Sequence, residues 1–443
     1  MKRKLLLLLL VSMTGVSFAS ETIKYRDIEL PEAGGLAEAL GADMLSIDSL
    51  VLKGKVGVKD FETMWRASYE GRLAVIDMSG ADVENLSVPD NAFVRLDSQN
   101  LPENKFVSIN LRKICLPENI MEFGDNAFYR AENLESINFP KSLNKIGNGC
   151  FLSCMKLKSD CLVIPEGVSE IGDRCFSNCR GIKKIILPDE IKRIGDKAFA
   201  SSGISQINLP DNLSVIGEGA FSDTQFLEEA IIPDGCTFEG IRNFAESYVR
   251  KIKLPIDLAL IPESFAELCQ MMTEIDMPVL LKTVEPKAFK GCGRISKIEF
   301  YDEIEEIKES AFAGCHSLKE ISFPSSIRSI EEKAFANCSG LERIYSVSPL
   351  PPTCDKGAFS GCSGDVTLYV PIGTSQSYKG AEGWNYFTNV VETDEFPKSS
   401  VSEIRPERST TVVYDLKGRK IARPKRGEIY ITGGRKIIPS SRR

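Results

Sequence analysis

The sequence of 443 residues contains a single histidine, His316. A His-rich metal site, or more than one His-centred catalytic group, is thereby excluded. There is no excess of positive charge either. The formal net charge is −7, which argues against a dedicated nucleic-acid binder, since such proteins hold phosphates with clustered Lys and Arg. No segment beyond residue 19 is apolar over the ~20 residues that span a bilayer. No P-loop, zinc-ligand spacing or Gly-x-Ser-x-Gly elbow occurs. What is present is ordinary globular usage, 42% apolar and 26% charged residues, so wholesale disorder is excluded too.

The two ends differ from the middle. Met1-Lys2-Arg3-Lys4 is a basic start, Leu5 to Val11 is unbroken apolar sequence, and Ser17-Phe18-Ala19 places small residues before a cut at Ser20. This is the pattern of a secretory signal peptide. The apolar run is too short for a membrane anchor, and no cysteine follows the cut to carry a lipid. Residues 396–443 hold 13 Lys/Arg and 4 Asp/Glu, a local charge of +9 that leaves −16 for the rest. Pro397 and Ser399-Ser400 at this change of sign mark a boundary.

Between the ends a small-residue–Phe dipeptide recurs. It appears as Ala127-Phe128, Cys150-Phe151, Cys175-Phe176, Ala198-Phe199, Ala220-Phe221, Asn243-Phe244, Ser264-Phe265, Ala288-Phe289, Ala311-Phe312, Ala334-Phe335 and Ala358-Phe359. The spacings run from 21 to 25 residues, and Phe106, 22 before Phe128, reads as a worn first member. Each unit continues with a polar turn and a strand of alternating apolar residues closed by proline, as in Leu134 to Pro140, Ile182 to Pro188 and Leu318 to Pro324. A second apolar pair follows, often ended by glycine, as in Ile146-Gly147, Ile171-Gly172 and Ile194-Gly195. Glycine there is expected to supply a positive φ. Such units cannot bury an apolar face singly, but stacked units share a continuous core. The fold class expected is a mainly β solenoid of about eleven ~23-residue coils.

The period and the pattern Ile-Gly-x-x-Ala-Phe-x-x-Cys-x-x-Leu-x-x-Ile-x-x-Pro, visible in Ile307 to Pro324 except that Lys308 stands where the usual Gly would, resemble the BspA-type leucine-rich repeat, a family of bacterial surface proteins. The resemblance implies a curved solenoid with a parallel sheet on its concave side, and adhesion to proteins of a host or a neighbouring cell. Residues 20–100, with one strand-like run around Ala74-Val75-Ile76 and a helix from Asp60 to Tyr69, are similar to the N-terminal α/β cap of that family. Thr367 to Pro371 and Trp384 to Phe387 are similar to its closing segment. The organisation expected is thus signal peptide 1–19, cap 20–100, solenoid 101–365, C-terminal cap 366–395 and basic tail 396–443. In the tail, Val413-Tyr414-Asp415 to Gly418-Arg419 followed by Ile429-Tyr430-Ile431 resembles the C-terminal sorting segments of proteins exported by anaerobic Gram-negative bacteria.

Thirteen cysteines in an exported chain invite a disulfide or metal reading. The repeat favours another. Cys154, Cys179, Cys292, Cys315, Cys338 and Cys362 each lie three residues after the Phe, and Cys150 and Cys175 replace the small residue before it. These positions face the interior, where a free thiol acts as a small apolar group. His316 beside Cys315 suggests nucleophilic chemistry, but adjacent residues rarely point at one another. The acid pairs Glu305-Glu306 and Glu331-Glu332 read as solvated surface. No cofactor, metal or catalytic residue is expected, and the chain reads as no enzyme; a site assembled from several coils is the remaining enzymatic alternative.

A ligand would meet the outward strand positions. These include Lys183 and Lys184; Glu228 and Glu229, with Ile231; Arg250, Lys251 and Lys253; Glu274 and Asp276; and Tyr345, the only aromatic in the outward triplets. Val163 and Ile186 add exposed apolar members. Basic Arg250, Lys251 and Lys253 fall beside acidic Glu228, Glu229, Glu274 and Asp276, which also fits plain cross-coil charge pairing. The function expected is an exported, cell-surface protein-binding or adhesion module. Its alternatives are a carbohydrate-binding or envelope-assembly accessory protein. Aromatic platforms, which sugars need for stacking, look scarce.

Overall fold

The computed structural model describes residues 23–94 and 109–397, together with four short strands between residues 413 and 437. The expected signal peptide and Phe106 lie outside the described residues. The chain divides into two units, Met1–Glu395 and Phe396–Arg443.

In the first unit each coil gives one strand to a primary parallel sheet and a second, two-residue strand to a secondary one. Strand Lys184–Ile186 runs parallel to Gln206–Ile207, for example, and Arg193–Ile194 runs parallel to Val215–Ile216. Inward positions such as Ile182, Ile185 and Leu187 are buried, while Lys183 between them is exposed. The strand alternation read from the sequence is therefore the alternation of core and solvent.

The solenoid has about fifteen turns rather than eleven. The extra ones come from the N-terminal region. It contributes three parallel strands, not one: Tyr25–Leu30, Ser49–Val56 and Val75–Val83. The last pairs directly with Lys113–Cys115, so the sheet runs without interruption into the Phe-bearing coils. The coils of the first two strands carry no Ala-Phe signal, and the Ala92-Phe93 of the third lies 35 residues before Phe128, out of period. The helix is present as Val58–Tyr69. It starts on the buried carboxylate of Asp60, which accepts hydrogen bonds from the backbone amides of Gly34 (2.6 Å), Leu36 (3.0 Å) and Gly57 (2.9 Å).

Behind the sheets the repeat phenylalanines stack. Phe128, Phe151, Phe176, Phe199, Phe221 and Phe244 follow one another at 5.0–5.8 Å with nearly parallel rings. Each buried ring contributes ~1.5–3 kcal/mol by its removal from water, and stacking adds to that. The member before Phe128 is Phe93, stacked on it at 5.4 Å, with Phe61 of the helix edge-on behind it at 6.1 Å. Phe93 follows Ala92, but it lies 35 residues before Phe128, out of the 23-residue period. At the other end Phe359 meets Trp384 and Phe387. Trp384 donates its indole N–H to the Pro352 carbonyl (2.8 Å), and Tyr378 places its hydroxyl between Ser346 and the Ser348 carbonyl.

The glycine expectation fails in an informative way. Gly124, Gly147, Gly172, Gly195 and Gly217 do not have positive φ. They are needed because the previous coil approaches closely: a Cβ on Gly195 would sit 2.7 Å from the Asp173 backbone nitrogen. The aspartates and asparagine beside them form a spine. Asp90 accepts the Asp125 amide, Asp125 that of Asn148, Asn148 that of Asp173, Asp173 that of Asp196, and Asp196 that of Glu218. Positive φ falls instead two residues before and two after the Phe, at Arg174 and Asn178 around Phe176 and at Lys333 and Asn337 around Phe335.

The second unit forms four short antiparallel strands, Val413–Tyr414, Lys420–Ile421, Tyr430–Thr432 and Arg435–Ile437.

Candidate functional site

All thirteen cysteines are free thiols. Seven of them form one hydrogen-bonded column in which each Sγ donates to a carbonyl of the preceding coil. Cys154 bonds Phe128 (3.1 Å), Cys179 Phe151 (3.0 Å), Cys269 Phe244 (3.0 Å), Cys292 Ala266 (3.1 Å), Cys315 Phe289 (3.5 Å), Cys338 Phe312 (3.3 Å) and Cys362 Phe335 (3.3 Å). Burial pushes the thiols of Cys150, Cys154, Cys175 and Cys292 well above the usual range, and that of Cys179 up to about 12. These are inert interior groups, not activated nucleophiles.

Cys269 escaped the sequence pattern because its coil is written in a different order. Aligning Ile261 to Cys269 with Ile307 to Cys315 places Phe265 opposite Ala311 and Ala266 opposite Phe312. The backbone agrees. The Phe312 amide bonds the Ala334 carbonyl, whereas the Ala266 amide bonds Ala288 and the Phe244 amide bonds Phe265. Phe265 therefore occupies the small-residue slot, and its ring is tilted 59° from Phe244 and 69° from Phe289. The spacings of 21 and 24 around it are the trace of this exchange.

No enzyme-like cluster forms around the remaining suspects. Cys315 points to the coil before it, while the ring N–H of exposed His316 donates to the Asn337 carbonyl of the coil after it (2.9 Å). The acids Glu305, Glu306 and Glu331 are paired with Arg328 and Lys308 at 2.7–3.1 Å. Among the described residues, no three of His, Cys, Asp and Glu gather in a way that could hold a metal ion, and no helix is long and apolar enough to cross a membrane.

The candidate binding residues all lie on the outward side of the primary sheet, in three rows parallel to the stack. The middle row reads Lys184, Gln206, Glu229, Lys251, Glu274, Lys297, Glu320, Arg343. Charges alternate along it. Lys251 is in register with both Glu229 and Glu274 and pairs with Glu274 at 3.1 Å, and Arg343 pairs with Glu320 at 2.8 Å. The hydrogen bond to Glu274 raises the Lys251 pKa. In the next row Lys253 stands opposite Asp276. Arg250 is exposed, and Lys183 lies over the Phe226 ring at 4.8 Å. These residues are not one cluster: Tyr345 is seven coils from Lys184, roughly 34 Å at ~4.8 Å per strand.

Three features were missed from sequence. Tyr369, assigned to the closing segment, stacks on Tyr345 at 4.7 Å and 13° on the outward face. Phe226 is half exposed. The primary sheet also has an opening of about 480 Å³ beside Gln206, Asn208, Glu229 and Ile231. A second depression, about 650 Å³, lies beside the secondary strands between Ser169, Asp189, Lys192 and Asn212.

The family model of the BspA type leucine rich repeat region matches the chain over residues 84–162, 156–272 and 259–376. Among solved structures, a leucine-rich repeat protein from Bacteroides ovatus is similar at 19% identity and a TM-score of 0.58, covering 86% of this chain and 94% of that one. A leucine rich cell surface protein from Faecalibacterium prausnitzii is 24% identical, covers 70% of this chain and 83% of its own, and has a TM-score of 0.36. A leucine-rich repeat protein from Eubacterium ventriosum is 16% identical, with 81% and 94% covered and a TM-score of 0.37. No curated protein sequence gives a significant match.

Proposed function

Because the chain belongs to the BspA-type leucine-rich repeat family, we propose that it is an exported, non-enzymatic surface protein that binds another protein through the outward face of its primary sheet. The observation carrying this reading is the outward face itself. There polar, charged and exposed apolar side chains recur coil after coil on a scaffold held by buried Ile, Leu and Phe columns. The side chains are polar and mixed in sign, with exposed Val163, Ile231 and Phe226 among them, a composition suited to a protein surface. Export rests on residues 1–19, and retention at the surface on the basic tail 396–443.

A pull-down with the intact protein, repeated with reversals of Arg250, Lys251 and Lys253, tests the reading. Those reversals are expected to weaken capture more than reversals of Glu305, Glu306 and Glu331 do; equal or opposite effects remove the sheet face as the binding surface. Protease accessibility on whole cells tests the location.

A second reading is supported by the Tyr345–Tyr369 stack. A small Ser322 stands in register on the free side of Tyr345, so one ring face is open for a sugar to stack on. A glycan array with Tyr345→Ala as control separates the two readings.

A further inference from the structure

The primary sheet is open in its middle. Ser205–Leu209 and Glu228–Ile231 lie on consecutive coils, yet no backbone hydrogen bond joins them. The same two coils remain in contact elsewhere: Val215 and Ile216 pair with Thr237 and Phe238, and Phe221 stacks on Phe244 at 5.0 Å. The coils thus part like a wedge, on the outward side alone.

Asn208 finishes the ladder behind the opening. Its carboxamide accepts the Leu187 amide (2.8 Å) and donates to the Leu187 carbonyl (2.9 Å), turning away from the next coil. Asn138 does the same to Leu116 one break earlier, but there the Lys158 amide still bonds Glu135 across the gap. The opening at Asn208 leaves core residues in view beside an outward groove, as the Asn138 break does at half-buried Ile137 and Phe139; it differs from that break in that no backbone hydrogen bond crosses it. Ile207 and Leu209 are half-buried, whereas their counterparts Ile185, Leu187, Ile252 and Leu254 are buried.

The surroundings are amphipathic and polarised. Val163 and Ile186 are in register on one side, and Ile231, 55% exposed, stands on the other. Lys184 carries positive charge on the near side, while the Lys183 ammonium reaches over Phe226 of the far coil. On the far side Glu228 and Glu229 have no ion-pair partner among the described residues, since Lys251, in register with Glu229, is held by Glu274 instead.

We propose that this opening docks an extended segment of a partner protein. An aliphatic side chain of the segment seats against Ile207, Leu209 and Ile231. A Lys or Arg of the segment meets Glu228 and Glu229, and an Asp or Glu meets Lys184. Lys184 and Glu229 are two coils apart, ~10 Å at closed-sheet spacing and more across the wedge, which extended chain covers in about three to four residues at ~3.3 Å each. The segment therefore reads acidic, two or three residues of which one is aliphatic, then basic. This deepens the reading of the sheet face as a protein-binding surface and rests on it.

The test is selection of a random decapeptide library on the purified protein, followed by affinity measurements on the selected peptides. The expected result is enrichment of an aliphatic residue between an acid and a base. Binding should fall at least tenfold in Glu228→Lys/Glu229→Lys and in Ile231→Asp. It should stay unchanged in the pair-preserving exchange Glu305→Arg/Arg328→Glu in the turns. Failure to enrich any peptide, or equal binding by the Glu228/Glu229 variant, overturns the proposal. If selected peptides ignore the opening but are lost in Tyr345→Ala or on reversal of Arg250, the sheet face still binds protein and only the opening is wrong. If no outward substitution matters, both readings fall.

Discussion

The backbone amide of Phe244 donates to the carbonyl of Phe265 at 2.8 Å, a bond that in the neighbouring coils goes to the small residue preceding the phenylalanine. Phe265 and Ala266 have exchanged places, and the core has adapted by bringing Phe238 edge-on to Phe265 at 5.0 Å. Phe265→Ala should cost ~3–5 kcal/mol, as loss of a buried ring does. Ala266→Phe alone should cost ~1–3 kcal/mol by overpacking. Making both changes restores the common order, so the double variant should be more stable than the sum of the singles by about 1 kcal/mol or more. Urea unfolding of the four proteins measures this, and simple additivity would refute the exchange.

Thiol chemistry gives a second check. The native protein should react with a thiol reagent chiefly at exposed Cys161 and half-exposed Cys115, and the unfolded, unreduced protein at close to all thirteen cysteines. Little labelling after unfolding would mean disulfides.

Stability should depend on pH in one direction. Burial raises the thiol pKa to about 12 for Cys179, Cys236, Cys354 and Cys362 and to about 11 for Cys269, from an ordinary value of 9.0. Between pH 9 and these values the unfolded chain gives up protons that the folded one keeps. Unfolding is then favoured as pH rises, by up to ~1.4 kcal/mol per pH unit for each such thiol. Stability from this source is complete below pH 9 and is lost above it. A melting temperature that holds steady from pH 8.5 to 10.5 would contradict it.

Gly195→Ala should destabilise by ~1–3 kcal/mol, because the new Cβ meets backbone of the adjacent coil. Gly364→Ala, where nothing lies within 4 Å, should change stability by no more than ~0.5 kcal/mol. Equal effects at the two sites would mean the close approach between coils is not what selects glycine.

Removal of residues 396–443 should leave the melting temperature of the solenoid unchanged, since Tyr378, Trp384 and Phe387 already cover its last coil. A drop of several degrees would place the tail in the folding unit.

Much of this was legible because a solenoid writes its fold once per coil. The Phe period, the strand alternation and the thiol positions each report an interior column, and repetition makes the signal strong. What escaped was local departure from the period. Phe93 was lost because it lies 35 residues before Phe128, and Cys269 to the exchange at Phe265. The coils of the first two strands bear none of the Ala-Phe signal. The opening at Asn208 was illegible for another reason. Whether two strands pair or part depends on where the asparagine carboxamide turns and on the lengths of the adjoining turns, and neither leaves a mark in a hydrophobic pattern. The glycine role was misjudged because sequence shows that a side chain is missing but not whether torsion or a neighbour forbids it.

The alternating row from Glu229 to Arg343 also constrains how such an array can change in length. Loss of the single coil carrying Glu274 would bring Lys251 beside Lys297, whereas loss of the two coils carrying Glu274 and Lys297 would bring Lys251 beside Glu320. Like charges directly opposed across a sheet are destabilising. Along this row a change by two coils keeps opposite charges opposed, and a change by one does not.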